Sequence, residues 1–302
     1  MSMVVARPRM GRLALAYLDL TKPRIVFLVI LTGLPALLLA ARGVPSPRLL
    51  WGTLSGIALA AGSAASFNHY FDRDVDALMR RTARRPLPSG TLPPAHALGL
   101  GFLLAALSWV TLTSTSNVLA AAIGIASIFY YAIVYTVWLK RRTPQNIVIG
   151  GGAGASAPLI AWAAVTGHVE LPAFLMASIV FLWTPPHFWA LALYRCEDYA
   201  LAGIPMLPVT HGEVETRRQI VLYTLVLVQT TLALAVLGVA GPIYWIPAAV
   251  LGGVFLHDAL RLRRTGSVPH AIHLFRFSIL YLFALFTLLA LDALVTHATP
   301  RG

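Results

Sequence analysis

A chain of 302 residues that is 58% hydrophobic and only 11% charged cannot cover a water-facing surface, since soluble domains carry about 25% charged residues. Its formal net charge of +12 does not mark a nucleic-acid surface, because no basic patch is interleaved with polar groove-reading side chains. The single cysteine, Cys196, excludes an internal disulfide and a cysteine-rich metal site.

Residues 1–22 read as a cytoplasmic tail carrying Arg7, Arg9, Arg12 and Lys22. Nine apolar runs follow, at 25–41, 49–67, 95–113, 118–139, 147–165, 171–193, 220–239, 243–260 and 274–295. Each reaches or approaches the roughly 20 apolar residues that a spanning helix needs. They are too long and too evenly apolar for barrel strands, which run about 10 residues with alternating polarity. The first run does not read as a signal peptide: Lys22-Pro23-Arg24 flanks it and no small-residue cleavage site closes it. All but three of the 23 lysines and arginines (Arg42, Arg48 and Arg301) fall in the tail or beside every second connection. The positive-inside rule then puts the N-terminus in the cytoplasm and the C-terminus outside. The whole of 1–302 thus reads as one all-α, polytopic membrane domain with nine transmembrane helices, in contact with anionic membrane lipid.

Two connections are long, 68–94 and 194–219. Both lie on the basic side, and together they hold seven of the eleven acidic residues. Long ordered connections in a compact protein are usually functional. Asn68, Asp72 and Asp76 are spaced four apart, so a second helix continuing past Phe67 aligns all three on nearly one face. Stacked oxygen side chains repel one another without a cation. Magnesium suits them, taking one or two carboxylates and sharing its other positions with water and substrate phosphates. Asp74 falls on another face and suits pairing with Arg73 or a nearby arginine. The motif runs into Arg80, Arg81, Arg84 and Arg85, whose forked donors bind phosphate oxygens bidentately.

The stretch Asn68-His69-Tyr70-Phe71-Asp72-Arg73-Asp74-Val75-Asp76, followed by Arg81-Thr82-Ala83-Arg84-Arg85-Pro86-Leu87-Pro88, resembles the first signature of the UbiA prenyltransferase superfamily. Two further stretches, one running from Lys140 to Ala155 and one from Phe181 to Pro208, are similar to its haem-prenylating branch. The resemblance implies a nine-helix fold around a central cavity in the bacterial inner membrane. It implies magnesium-dependent binding of farnesyl diphosphate and transfer of the farnesyl-derived chain to a vinyl group of haem B, giving haem O. It also implies a downstream haem A synthase or terminal oxidase assembly that takes the product. Asn68, Asp72 and Asp76 match the family's first metal-diphosphate motif. The second is commonly D-x-x-x-D. Here it reads Tyr194-Arg195-Cys196-Glu197-Asp198, so Asp198 is its remaining catalytic and metal-binding acid, and a symmetric two-metal clamp is not supported. Arg80, Arg84, Arg85, Lys140, Arg141 and Arg195 are the candidates for the diphosphate, although Lys140 and Arg141 serve equally as topological anchors.

For the acceptor, the candidates are His187, Trp183 and His69. His187 sits in Pro185-Pro186-His187 inside an apolar run, where a polar side chain faces a cavity or a partner. It reads either as a haem contact or as a hydrogen-bonded histidine at a proline break. Tyr130, Tyr131, Tyr135, Phe188 and Trp189 offer faces for a cationic intermediate, or are ordinary apolar packing. Gly150, Gly151, Gly152 and Gly154 read as close helix contact rather than a phosphate loop. A transporter would place acids near the bilayer midplane. Only Asp258 and Asp292 lie inside apolar runs, both near their ends. A prenyltransferase acting on a quinone precursor or chlorophyllide is the other alternative.

Overall fold

The computed structural model describes residues 10–298; Arg7, Arg9 and Arg301, used above to orient the chain, lie outside the described residues. The described chain is nearly all helix: α1 (Met10–Thr21), α2 (Pro23–Ala41), α3 (Pro47–Leu78), α4 (Pro94–Thr115), α5 (Val118–Phe129) with a π-helical continuation over Tyr130–Leu139, α6 (Asn146–Gly154), α7 (Ser156–Thr166), α8 (Leu171–Tyr194), α9 (Cys196–Leu201), α10 (Leu207–Val236), α11 (Pro242–Thr265) and α12 (Val268–Ala298). Among the described residues, nine helical spans are long and apolar enough to cross a membrane, counting α5 with its continuation and α6 with α7 as one each.

Local chemistry explains where these helices begin and end. Proline, which needs no partner for a missing N–H in a first turn, opens α2, α3, α4, α10 and α11. Ser46 and Asn117 cap α3 and α5 by accepting from Leu49 N and Ala120 N. Asp292 of α12 accepts from Gly241 N at 2.6 Å and Tyr244 N at 3.3 Å. The intramembrane acid of the last span is therefore a cap on the start of α11, not part of a midplane ion path.

Three sequence expectations need correction. Within the stretch read as a tail, 10–21 form α1, which packs on α3. Residues 68–78 are the end of α3, and only 79–93 form a turn-rich connection. Most of 194–219 is helical too, in α9 and the start of α10, with a kink at Gly212, φ 78°. At 68–78 and at the start of α10, polar residues lower the mean hydropathy without ending the helix.

The bundle is inside out relative to a soluble protein. Trp51, Phe102, Trp109, Val110 and Phe174 are exposed, whereas Thr53, Ser63, Ser66, Asn68, Asp72 and Asp76 on α3 are buried. An exposed apolar belt of this breadth is what lipid contact requires. At 32 residues, α3 is about 48 Å long at roughly 1.5 Å per residue. The hydrocarbon core is about 30 Å thick, so the last turns of α3, which carry the acids, stand at its edge. The glycines of α6 allow close approach: a Cβ at Gly150 would collide with the Tyr135 ring.

Candidate active site

The continuation of α3 past Phe67 puts Asn68, Asp72 and Asp76 on one buried stripe, 3%, 0% and 1% exposed. Each meets a cation from a different part of the chain. Lys22 Nζ, from the α1–α2 corner, donates to Asn68 Oδ1 at 2.6 Å. Lys140 Nζ, just past the π-helix, donates to Asp72 Oδ2. Arg85 Nη1, from the 79–93 connection, donates to Asp76 Oδ2 at 2.7 Å. Asn68 Nδ2 ties the row together, donating to Asp72 Oδ2 at 2.7 Å and to Thr136 Oγ1 at 3.1 Å.

The π-helix explains the reach of Thr136 and Lys140. Lys140 N donates to Tyr135 O and Thr136 Oγ1 donates to Tyr131 O, each five residues back. This wider turn brings Tyr131, Tyr135, Thr136 and Lys140 to the mouth. Segments of this kind are rare and often lie at functional sites. Nothing in the composition of 130–139 distinguishes it from an ordinary α-helix.

The corner holding Lys22 has its own signature. Lys22 is left-handed, φ 52° and ψ 62°, a conformation that costs a non-glycine residue roughly 1 kcal/mol. Burial, helped by the charges of Arg85 and Lys140, pulls its ammonium down to about 7 against the opposing pull of Asp72 and Asp76. Sequence reasoning assigned Lys22 only to topology. The lysine-proline pair gave no sign of this corner, because proline ordinarily pushes the residue before it to extended backbone.

Magnesium can be tested against these groups. Asp72 Oδ1 and Asp76 Oδ1 are buried with no hydrogen-bond partner, which is expensive unless a cation completes them. Among the described residues no three His, Cys, Asp or Glu side chains gather into a ready-made cage. Magnesium asks for no such cage, since it binds through one or two carboxylates and shared phosphates. The donor set fits.

The second motif is built differently. Asp198, on α9, is partly buried and has Arg195 Nη1 at 3.8 Å as its ion-pair partner. Arg195 also lies over the Tyr194 ring, 5.5 Å from its centroid. Burial pushes the Tyr199 phenol up, while Arg81 and Arg85 pull it back, which places that tyrosine beside the guanidiniums of the first connection. Val75 of α3 and Met79 just past it pack in one cluster with Tyr199, so the two motif regions meet at the same end of the bundle.

Not every predicted diphosphate ligand joins this cluster. Arg141 forks onto Asp74 at 2.6 and 2.7 Å and donates to Phe71 O at 2.8 Å, which takes its charge to the outer face of α3. Asp74 thus takes Arg141 rather than Arg73. Arg80 and Arg84 are exposed.

On the acceptor side, His69 is buried on α3 with neither ring nitrogen hydrogen-bonded. His187, on α8, stacks on Trp183 at 4.3 Å and on Phe275 at 4.7 Å. Its Nδ1 lies 2.7 Å from Ser278 Oγ, whose own proton goes to Phe275 O at 2.7 Å. Trp183 Nε1 donates to Ser278 O at 2.7 Å. With the serine proton spent, Nδ1–H is the donor to Oγ and the Nε2 lone pair is left open, making no hydrogen bond. A separate outward-facing groove of about 450 Å³, between α2 and α12 and bounded by Arg24, Phe27, Arg276 and Phe283 among others, does not include the motif residues.

Spanning helices thus collect buried oxygen side chains and cations at one end of a membrane bundle. Residues 27–293 match the UbiA prenyltransferase family, and the chain belongs to that family. It is 51% identical over 280 residues to protoheme IX farnesyltransferase of Roseiflexus sp. (strain RS-1), covering 92% of this chain and 52% of that protein; the chain spans about half the length of that relative. It is also 51% identical over 283 residues to protoheme IX farnesyltransferase of Azorhizobium caulinodans, covering 92% of each. Among solved structures, one of digeranylgeranylglyceryl phosphate synthase aligns with a TM-score of 0.78 at 17% identity, covering 95% of this chain and 100% of that one. A UbiA homologue from Archaeoglobus fulgidus bound to GPP and Mg2+ aligns with a TM-score of 0.60 at 19% identity, covering 91% and 99%. These last two likenesses establish the fold.

Proposed function

We propose that this chain is a magnesium-dependent prenyltransferase that moves the farnesyl group of farnesyl diphosphate onto a vinyl group of haem B, giving haem O. It works in the bacterial inner membrane with its N-terminus and catalytic mouth in the cytoplasm. The observation that carries this reading is the row Asn68, Asp72 and Asp76, buried at a membrane-edge bundle end with two carboxylate oxygens unsatisfied. The haem acceptor is supported by the names of relatives at 51% identity. The divalent ion is supported by the GPP and Mg2+ bound to the A. fulgidus homologue.

Each side chain has a physical task. Asn68, Asp72 and Asp76 would hold magnesium, with Asp198 of the second motif as a further acid for it. When bound, the ion supplies Lewis-acid stabilisation of charge on the departing diphosphate. Lys140, Arg85 and Arg195 add fixed positive charge where that negative charge develops, and Arg80 and Arg84 draw the donor to the mouth from solution. The donor's allylic C–O bond breaks with its electron pair leaving on the diphosphate. The faces of Tyr131 and Tyr135, stacked 5.2 Å apart, stabilise the allylic cation, and burial keeps water from it. The haem vinyl carbon supplies the electron pair of the new C–C bond. Water then adds to the porphyrin-side cation and loses a proton, leaving the hydroxyl. His187 holds the acceptor through its open Nε2 edge, with Trp183 fixing the ring, and His69 lies next to the metal row.

Purified protein incubated with labelled farnesyl diphosphate, magnesium and haem B tests the reading. Labelled haem O is the expected product. Label in a hydroxybenzoate or chlorophyllide offered instead, with none in haem, replaces the acceptor; no product from any of them replaces the enzyme.

A further inference from the structure

The three cations at the metal row are not equivalent. Lys140 and Arg85 each sit on a carboxylate, while Lys22 sits on the neutral amide oxygen of Asn68. Two opposite charges in contact add a Coulomb attraction that a charge on a neutral amide oxygen lacks. Lys22 is thus the cation held least firmly, and the oxygen it holds is one that a divalent ion at this row would take. Resting on the function proposed above, we propose that Lys22 is a diphosphate-binding residue that competes with the metal for Asn68 Oδ1 and, on being displaced, transfers its ammonium to a diphosphate oxygen.

The backbone supports a role for the side chain. Lys22 pays the left-handed penalty at a position where glycine or asparagine would be cheaper. Its corner is nonetheless firmly made: Lys22 N donates to Asp19 O at 3.2 Å, and Lys22 O accepts from Ile25 N at 2.9 Å and Val26 N at 3.1 Å. Among the described residues, the other non-glycine residue with positive φ, Arg42, directs no side-chain hydrogen bond or ion pair at another residue. Strain kept at a residue whose amine reaches a ligand oxygen is the kind that accompanies function. Charge balance agrees. With all five groups ionised, Lys22, Lys140 and Arg85 against Asp72 and Asp76 leave one net positive charge. A diphosphate monoester trianion carrying one divalent ion leaves one net negative charge. Without Lys22 the pocket would be neutral toward that complex.

The competition gives a test that a merely structural lysine fails. Full-length protein in nanodiscs is titrated calorimetrically with Mg2+ alone, then with inorganic pyrophosphate in excess Mg2+. Lys22→Met should bind Mg2+ at least as tightly as wild type, since no ammonium has to be displaced. It should bind pyrophosphate at least about 10-fold more weakly, the size of one charge-assisted contact, and Lys22→Arg should recover part of that loss. Lys22→Gly relieves the left-handed strain, so it should unfold no lower than wild type while showing the same loss of pyrophosphate. Pyrophosphate affinity within about twofold of wild type in Lys22→Met, or weakening of Mg2+ and pyrophosphate together, overturns the role. Wild-type protein that binds no pyrophosphate in Mg2+ overturns the proposed function itself, and the role of Lys22 with it.

Discussion

The two motif regions began as counterparts, each a polar connection at the same end of the bundle, and they are built to opposite plans. At the end of α3, three oxygen side chains are buried in a row and each is met by its own cation. At the α8–α9 turn, one carboxylate is met at 3.8 Å by an arginine from its own turn, and a tyrosine stands four residues before it. The first region gathers buried oxygen side chains with a cation on each, and the second sets one carboxylate beside a single guanidinium and a phenol. On the proposed function, the difference divides the work unequally: the α3 side holds most of the metal's oxygen ligands, and the second motif adds one acid instead of mirroring it.

Several substitutions press on that division, beginning with the largest effect. Asp72→Asn or Asp76→Asn, each nearly isosteric, should lower turnover by on the order of 100-fold or more while far-UV circular dichroism keeps its helical amplitude. Asp198→Asn should cost only about 10-fold; an equal loss in a steady-state assay would erase the asymmetry. Tyr194→Asp, which restores an acid, should sharpen it by raising magnesium affinity a few-fold in calorimetry. His187→Ala should raise KM for haem B by roughly 10-fold, the worth of one lost contact, with KM for farnesyl diphosphate unmoved. The smallest effect belongs to the outer pair. Asp74→Asn should change stability by less than about 1 kcal/mol, as exposed pairs do, in thermal unfolding, with turnover held within about twofold.

The sequence made the helices legible because lipid imposes length and apolarity on them, and every predicted run lies largely inside an observed span. The i, i+4 spacing of Asn68, Asp72 and Asp76 made their shared face legible too, once α3 ran on past Phe67. What escaped depends on contacts remote in sequence. Lys22 lies 46 residues from Asn68, and only the left-handed corner turns a flanking charge into a site residue. The π-helix at 130–139 has the composition of any apolar helix, so the delivery of Thr136 to Asn68 left no trace in the pattern. Arg141 shows the converse. Its place in a basic cluster suggested phosphate, but Asp74, on a different face of α3 from Asp72, claims both arms of its fork.

The central claim is that the α3 row grips the metal that carries the donor's diphosphate. Binding of Mn2+, a spectroscopic substitute for magnesium, can be followed by electron paramagnetic resonance with farnesyl diphosphate present, comparing wild type with Asp72→Asn/Asp76→Asn. The account predicts donor-dependent Mn2+ binding in the wild type and its loss in the double variant. Undiminished Mn2+ binding in the folded double variant would contradict it.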